Sequence, residues 1–459
     1  MTQSTATSPD GRLFRFDDVL TPAVEPGAFV TLHHDGIAQL GQIDDVDHPG
    51  GAGAHGAGRL LGVVSPDGNV DTRDTRAFRA ADLSDALPTT VEALQASAGA
   101  TLGIGTYLSG PKTQAAIAAH RFNRHTFWCG QSGSGKTYAL GVVLEQLLIH
   151  TALPMVILDP NADFVRLGDG DALAGRDIRI LRPSSPDPDS LRVRFVDLPT
   201  RSKGAVLHLH PLDDRAEYNE LIHLEETLGG LAPEAIVPAL RSRGTQAAVD
   251  LAARIENLGL TGWPVWAGGR ATANEIVESR PDATVLDLGG FANPDEHLVV
   301  AMAVLDDLWA RRESRRPILI VIDEAHNLCS PEPADPLHTA VRDRIVQIAA
   351  EGRKFGLWLL LSTQRPSRVH QSIVSQCDNL ALMKMTSPLD LDELASIFGF
   401  VPPSMFARSP RFRQGEALFA GGFVAAPALV AMGTRLTPEG GADVRVPVRD
   451  SHGGGQGGG

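Results

Sequence analysis

Cysteine is scarce. The 459-residue chain carries three, Cys129, Cys329 and Cys377, with no CxxC or CxxH spacing among them. A disulfide framework needs paired cysteines and a structural zinc site needs closely spaced ones, so neither class applies. Lysine is rarer than its length would suggest, with Lys112, Lys136, Lys203, Lys354 and Lys384 the full set, and acidic residues outnumber basic ones 55 to 41 for a net charge of -14. No general attraction to nucleic acid follows from that balance, so any DNA contact must be local. No stretch approaches about 18 uninterrupted apolar residues, and the polar start MTQSTATSPDGR lacks the charged-then-apolar pattern of a leader. The expectation is a cytoplasmic chain without a membrane span. What the sequence does hold is core-forming material, 43% hydrophobic against 21% charged residues, over a length that calls for two or three structural units.

Residues 1–24 are expected to be poorly ordered. Residues 25–110 carry short, partly alternating apolar runs such as FVTLHHDGIAQLGQI and RLLGVVSPDG, broken by Gly, Pro and Asp, which reads as a small antiparallel β-barrel. Its middle, HPGGAGAHGAG at 48–58, reads as a flexible loop, and His48 and His55 within it have no partner ligands at metal-binding spacing. From 111 to 440 short apolar runs alternate with helix-length segments, the signature of an α/β unit with a parallel sheet. Strands are expected at TFWC (126–129), MVIL (155–158), TVLDL (284–288), PILIVI (317–322) and LWLLLST (357–363), with a helical insertion at about 200–280. The tail 441–459, ending SHGGGQGGG, reads as disordered.

Three motifs carry the chemistry. Gly130, Gln131, Ser132, Gly133, Ser134, Gly135, Lys136 and Thr137 match GxxxxGK[ST], after an expected strand and before an expected helix. In that context glycines let successive backbone N–H groups face phosphates, Lys136 reaches the β/γ oxygens and Thr137 ligates Mg2+. PILIVIDEAH runs a buried strand into Asp323, a candidate holder of Mg2+, and Glu324, the candidate that polarises the attacking water. LWLLLSTQRPS delivers Gln364, the candidate γ-phosphate sensor, to the same edge of the sheet. The expected cofactors are therefore ATP and Mg2+. The letters DEAH also occur in RNA helicases, but Lys136 and Asp323 lie 187 residues apart and no second RecA-like domain with a late arginine-rich motif is visible.

Taken together, GQSGSGKT, VIDEAHN, EGRKFG and STQRPS resemble the HerA/FtsK superfamily of P-loop (RecA-like, ASCE) ATPases. The β-rich start and NRHTFWCGQSGSGKT resemble the barrel and barrel-to-motor junction of HerA in particular. ILDPNADF resembles the second-strand motif of that family, although Asn161-Ala162-Asp163 stands where HerA proteins usually have His-Gly-Glu, which leaves Asp159 as the firmer acidic position. The resemblance implies a homo-hexamer acting on double-stranded DNA, with a nuclease or effector partner docking on the N-terminal barrel. It also implies an arginine acting on the neighbouring subunit's nucleotide, with Arg353 the candidate, and it places Arg124 near the nucleotide. A conjugation or secretion ATPase and an ATP-gated ring scaffold are the competing readings.

Overall fold

The computed structural model describes residues 5–19, 24–47, 53–225 and 233–441. Two sheets organise them. In the first, β1 (Thr5–Ser8), β2 (Leu13–Val19), β3 (Phe29–His34), β4 (Ile37–Asp47), β5 (Ala54–Val64), β6 (Val70–Asp71) and β7 (Phe78–Asp85) run in the order β2-β1-β7-β3-β4-β5-β6. Antiparallel pairing of β2 with β5 closes six of them into a barrel, around a core that includes Phe14, Phe16, Val30, Leu32 and Ile43.

Three expectations are corrected here. The stretch 1–24 contains β1 and β2, because Phe14 and Phe16 supply buried rings that the polar surroundings hid. The flexible loop at 48–58 contains the start of β5. Gly56 and Gly58 are glycines because Phe16 and Phe14 lie against them, where a Cβ would collide with the rings. His55 on that strand sits 2.9 Å from Asp17, while His48 lies outside the described residues. The barrel also ends earlier than 110. The hairpin of β8 (Leu102–Tyr107) and β9 (Gln114–Ile117) joins the second sheet by pairing β8 with β18.

That second sheet has the order β12-β13-β11-β14-β15-β10-β16-β17-β18-β8-β9. Its parallel part comprises β10 (His125–Cys129), β11 (Met155–Asp159), β12 (Ile178–Leu181), β13 (Ala283–Asp287), β14 (Ile318–Ile322), β15 (Leu357–Thr363) and β16 (Cys377–Leu382). All five expected strands are present. β10, β11, β13 and β14 are buried along their whole length, as a sheet covered on both faces requires. The strands β16, β17 (Glu416–Gly421) and β18 (Ala428–Met432) escaped the sequence reading. The expected insertion is built by helices including Arg215–Glu225, Pro233–Ser242 and Gln246–Asn257, between β12 and β13. Barrel and motor are joined by direct bonds. Gln42 donates to the Pro427 carbonyl (2.7 Å), Arg408 pairs with Glu25 (2.9 Å) and Ser404 donates to the Asp44 carbonyl. The tail 442–459 lies outside the described residues, and no described helix is long and apolar enough to cross a membrane.

Candidate nucleotide site

β10 is flanked by β15 and β16 and feeds the loop 130–137 directly into helix Lys136–His150. Gly133 and Gly135 have φ of 75° and 86°, a left-handed backbone that L side chains rarely adopt, and it lets the loop curl beneath the helix N-terminus. Parallel strands end on the same edge, so β14 and β15 deliver Asp323, Glu324 and Gln364 next to that loop.

The charges are arranged tightly. Lys136, almost fully buried, donates to Asp323 Oδ1 (2.9 Å) and Ser362 Oγ (2.8 Å), and its Nζ lies 3.2 Å from Glu324 Oε1. Burial works against its charge, but Asp323 and Glu324 hold its pKa above the ordinary lysine value. Glu324 sits at φ 44°, a strained conformation for a non-glycine residue, which turns its carboxylate back into the site. Gln364 Nε2 donates to Glu324 Oε1 (2.6 Å) and His326 Nδ1 lies 3.2 Å from Oε2. Burial pushes the Glu324 pKa up, yet His326, Lys136 and Gln364 together bring it down to about 2. It is an ionised acceptor at neutral pH, fit to orient a water.

Asp159 and Asp163 complete an acidic side that sequence reasoning named only in part. Carboxylate oxygens of Asp159, Asp163 and Asp323 all lie within 4.8 Å of one another. Burial raises the Asp159 pKa to about 7, against backbone N–H groups of Phe164 and Asp163 that donate to it, and burial with the charge of Asp323 raises Asp163 to about 6. Asp323 Oδ2 is buried and lacks a hydrogen-bond partner among the described residues. Hard oxygen donors crowded this way, one of them unpartnered, suit a divalent cation such as Mg2+, and Thr137 lines the same cleft.

Arg353 and Arg124 lie elsewhere. Arg353 donates to Asp378 (2.6 Å), and Arg124 approaches the same carboxylate at 3.9 Å. All three stand at the amino ends of β15, β10 and β16. Five strand residues, about 16 Å, therefore separate Arg124 from its own phosphate loop, so the expected place of Arg124 near a nucleotide is not met within one chain. Sequence reasoning also missed Ser362, Gln414, Glu145, Arg435 and Glu439. Glu439 and Gln414 line the cleft beside Lys136 and Thr137, and Gly415 N donates to the Ser134 carbonyl (2.9 Å). Gln414, Arg435 and Glu439 come from the far C-terminal side of the chain and carry no motif.

A family model described as Helicase HerA, central domain, matches residues 102–253. The DNA double-strand break repair helicase HerA of Sulfurisphaera tokodaii is 33% identical over 169 residues, 35% of this chain and 33% of that protein. The chain thus spans about a third of the length of that relative. The enzyme of the same name from Pyrococcus furiosus is 24% identical over 390 residues, 71% of this chain and 68% of that one. Among solved structures, VirB4 of Thermoanaerobacter pseudethanolicus superposes with a TM-score of 0.54 at 14% identity, covering 73% of this chain and 97% of that chain, a likeness of fold. With the phosphate loop, the paired carboxylates and the closed N-terminal barrel already in place, the chain is similar to HerA helicases, most clearly over residues 102–253, and shares the fold of VirB4.

Proposed function

We propose that the protein hydrolyses MgATP as a homo-hexameric ring and uses the energy to move along double-stranded DNA, with a nuclease or effector partner docking on the N-terminal barrel. The observation that carries this reading is the buried cluster of Lys136, Asp323 and Glu324, with the half-buried Gln364 on it, in a HerA-like chain. Without nucleotide, Lys136 is held by the two carboxylates. Lys136 would meet the β/γ phosphate oxygens, and Asp323 with Thr137 would hold Mg2+, which would supply charge stabilisation for the transferring phosphoryl group. Glu324 then orients the water, and Gln364, already hydrogen-bonded to Glu324, links that water to the γ-phosphate position. Arg353 and Arg124 face outward at the opposite edge of the sheet and serve the adjacent subunit's nucleotide. The test is steady-state ATP hydrolysis with Mg2+, with and without long duplex DNA. Stimulation by duplex DNA is expected. Hydrolysis indifferent to DNA would overturn the DNA reading and favour the secretion-type one, and absence of hydrolysis would overturn the whole.

A further inference from the structure

Residues 433–441 leave β18 and run as a strap over helix Lys136–His150 and the loop 159–164. The strap is sewn down by buried groups. Arg435, whose side chain is 1% exposed, has its backbone N–H on Tyr138 Oη (2.8 Å), its Nη2 on the Asp163 carbonyl (3.3 Å) and its guanidinium 5.5 Å over the Phe164 ring. Glu145 accepts from Leu436 N (2.8 Å), Thr437 N (2.8 Å) and Thr437 Oγ1 (2.6 Å). Helix residue 141 is a glycine because any Cβ there would strike the Arg435 side chain.

This clasp sets the strap's far end against the acidic side of the nucleotide site. Gly440 N donates to the Asp163 carbonyl (3.2 Å), and a Cβ on Gly441 would fall 2.5 Å from Asp163 Oδ1. Glu439, with a side chain 41% exposed, stands 3.8 Å from Arg435 Nη1 and lines the same cleft as Lys136 and Thr137. Its charge adds to that of Asp323 in raising the Asp163 pKa above its ordinary value, after burial. Glu439 offers a countercharge to Arg435 Nη1, which has no hydrogen-bond partner among the described residues, while Glu145 and Thr437 anchor the strap. Carboxylate oxygens of Asp159, Asp163 and Asp323 crowd within 4.8 Å of one another, Glu439 stands on the cleft that Asp163 lines, and the buried, unpartnered Asp323 Oδ2 points independently to a cation.

We propose that the strap is a working part of the cation site, in which Arg435 and Glu145 position Glu439 so that it joins Asp163 and Asp323 in holding the water shell of a divalent cation. Mg2+ gives up its waters reluctantly, so a carboxylate at the cleft rim contributes through those waters. Glu439 is thus a further cation-holding group and Arg435 a positioning residue. The proposal rests on the nucleotide reading above.

The experiment uses the full-length chain, wild type, Glu439→Gln and Arg435→Met. Mn2+, a paramagnetic substitute for Mg2+, is titrated into ADP-saturated protein and followed by electron paramagnetic resonance. Separately, ADP is titrated in EDTA by calorimetry. The expectation is roughly tenfold weaker Mn2+ binding in Glu439→Gln, with metal-free ADP affinity kept within about twofold. Arg435→Met gives the same split if it folds, and Glu439→Gln at the exposed rim keeps the test alive if it does not. Unchanged Mn2+ affinity in Glu439→Gln overturns the proposal. So does an equal loss of metal-free ADP binding, which makes the strap a structural cover. A wild-type protein that binds ADP in neither condition overturns the nucleotide reading itself, a result distinct from the other two.

Discussion

The two ends of β10 differ in kind. At its carboxyl end the charges are buried and gathered within one chain: Lys136 meets Asp323, Glu324 and Ser362, and Glu324 meets Gln364. At its amino end two arginines share one half-exposed aspartate, and Arg124 reaches it only at 3.9 Å. Surface pairs of that kind contribute little to stability, about 0 to 1 kcal/mol, so stability alone does not explain why the arginines converge there. The first end gathers a candidate nucleotide site, whereas the second is a half-exposed arginine pair on one carboxylate. Under the proposed ring, the second end of each subunit would supply chemistry to the next.

The largest effect that would sharpen this contrast is the loss of Arg353. Arg353→Ala is expected to cut the ATP turnover rate by roughly 10³-fold or more while leaving ATP bound, because a trans arginine acts on transition-state charge. Loss of nucleotide binding in that variant, measured by calorimetry, would make the amino end structural instead. Next comes Glu324→Gln, expected to slow turnover by roughly 10²- to 10⁴-fold with ATP still held by Lys136, read in rapid-quench assays. Lys136→Ala is a poorer probe. It strands Asp323 and Glu324 as buried unpaired charges, a cost of about 3 to 5 kcal/mol that confounds folding with binding.

A smaller effect lies under the arginine pair. His125 is fully buried at the start of β10 and accepts a hydrogen bond from Leu359 N (2.9 Å). Burial, then the charge of Arg353, holds its pKa down at about 4. The unfolded chain takes up that proton near pH 6.5, so the stabilisation is complete above that pH and is lost as pH falls from 6.5 to 4. The shift is worth on the order of 3 kcal/mol. Urea unfolding at pH 7.5, 5.5 and 4.5 should show that His125→Gln flattens this part of the pH profile. An unaltered slope would remove His125 from the account.

The carboxyl end was largely legible in the sequence, because local pattern dictates it: GQSGSGKT, IDEAH and STQ each follow a continuous apolar run, and parallel strands bring their ends together without further instruction. The strap was not legible. Arg435, Leu436 and Thr437 meet the nucleotide helix across almost 300 residues of chain, and nothing in TRLTPEGG marks that contact. β1 and β2 were lost among polar residues, and the glycines of β5 were read as flexibility when they are space for Phe14 and Phe16. Arg353 was found from the resemblance, and Asp378, its partner, from the fold alone.

The most direct test of the claim that one subunit's amino end completes the next subunit's carboxyl end mixes two inactive variants. Glu324→Gln retains Arg353, and Arg353→Ala retains Glu324, so a mixed ring contains sites where the intact Glu324 of one subunit faces the intact Arg353 of its neighbour. ATP hydrolysis is measured across mixing ratios, with native mass spectrometry confirming that mixed rings form. The account predicts that activity returns and peaks at intermediate ratios. Mixed rings with no recovered hydrolysis at any ratio would contradict it.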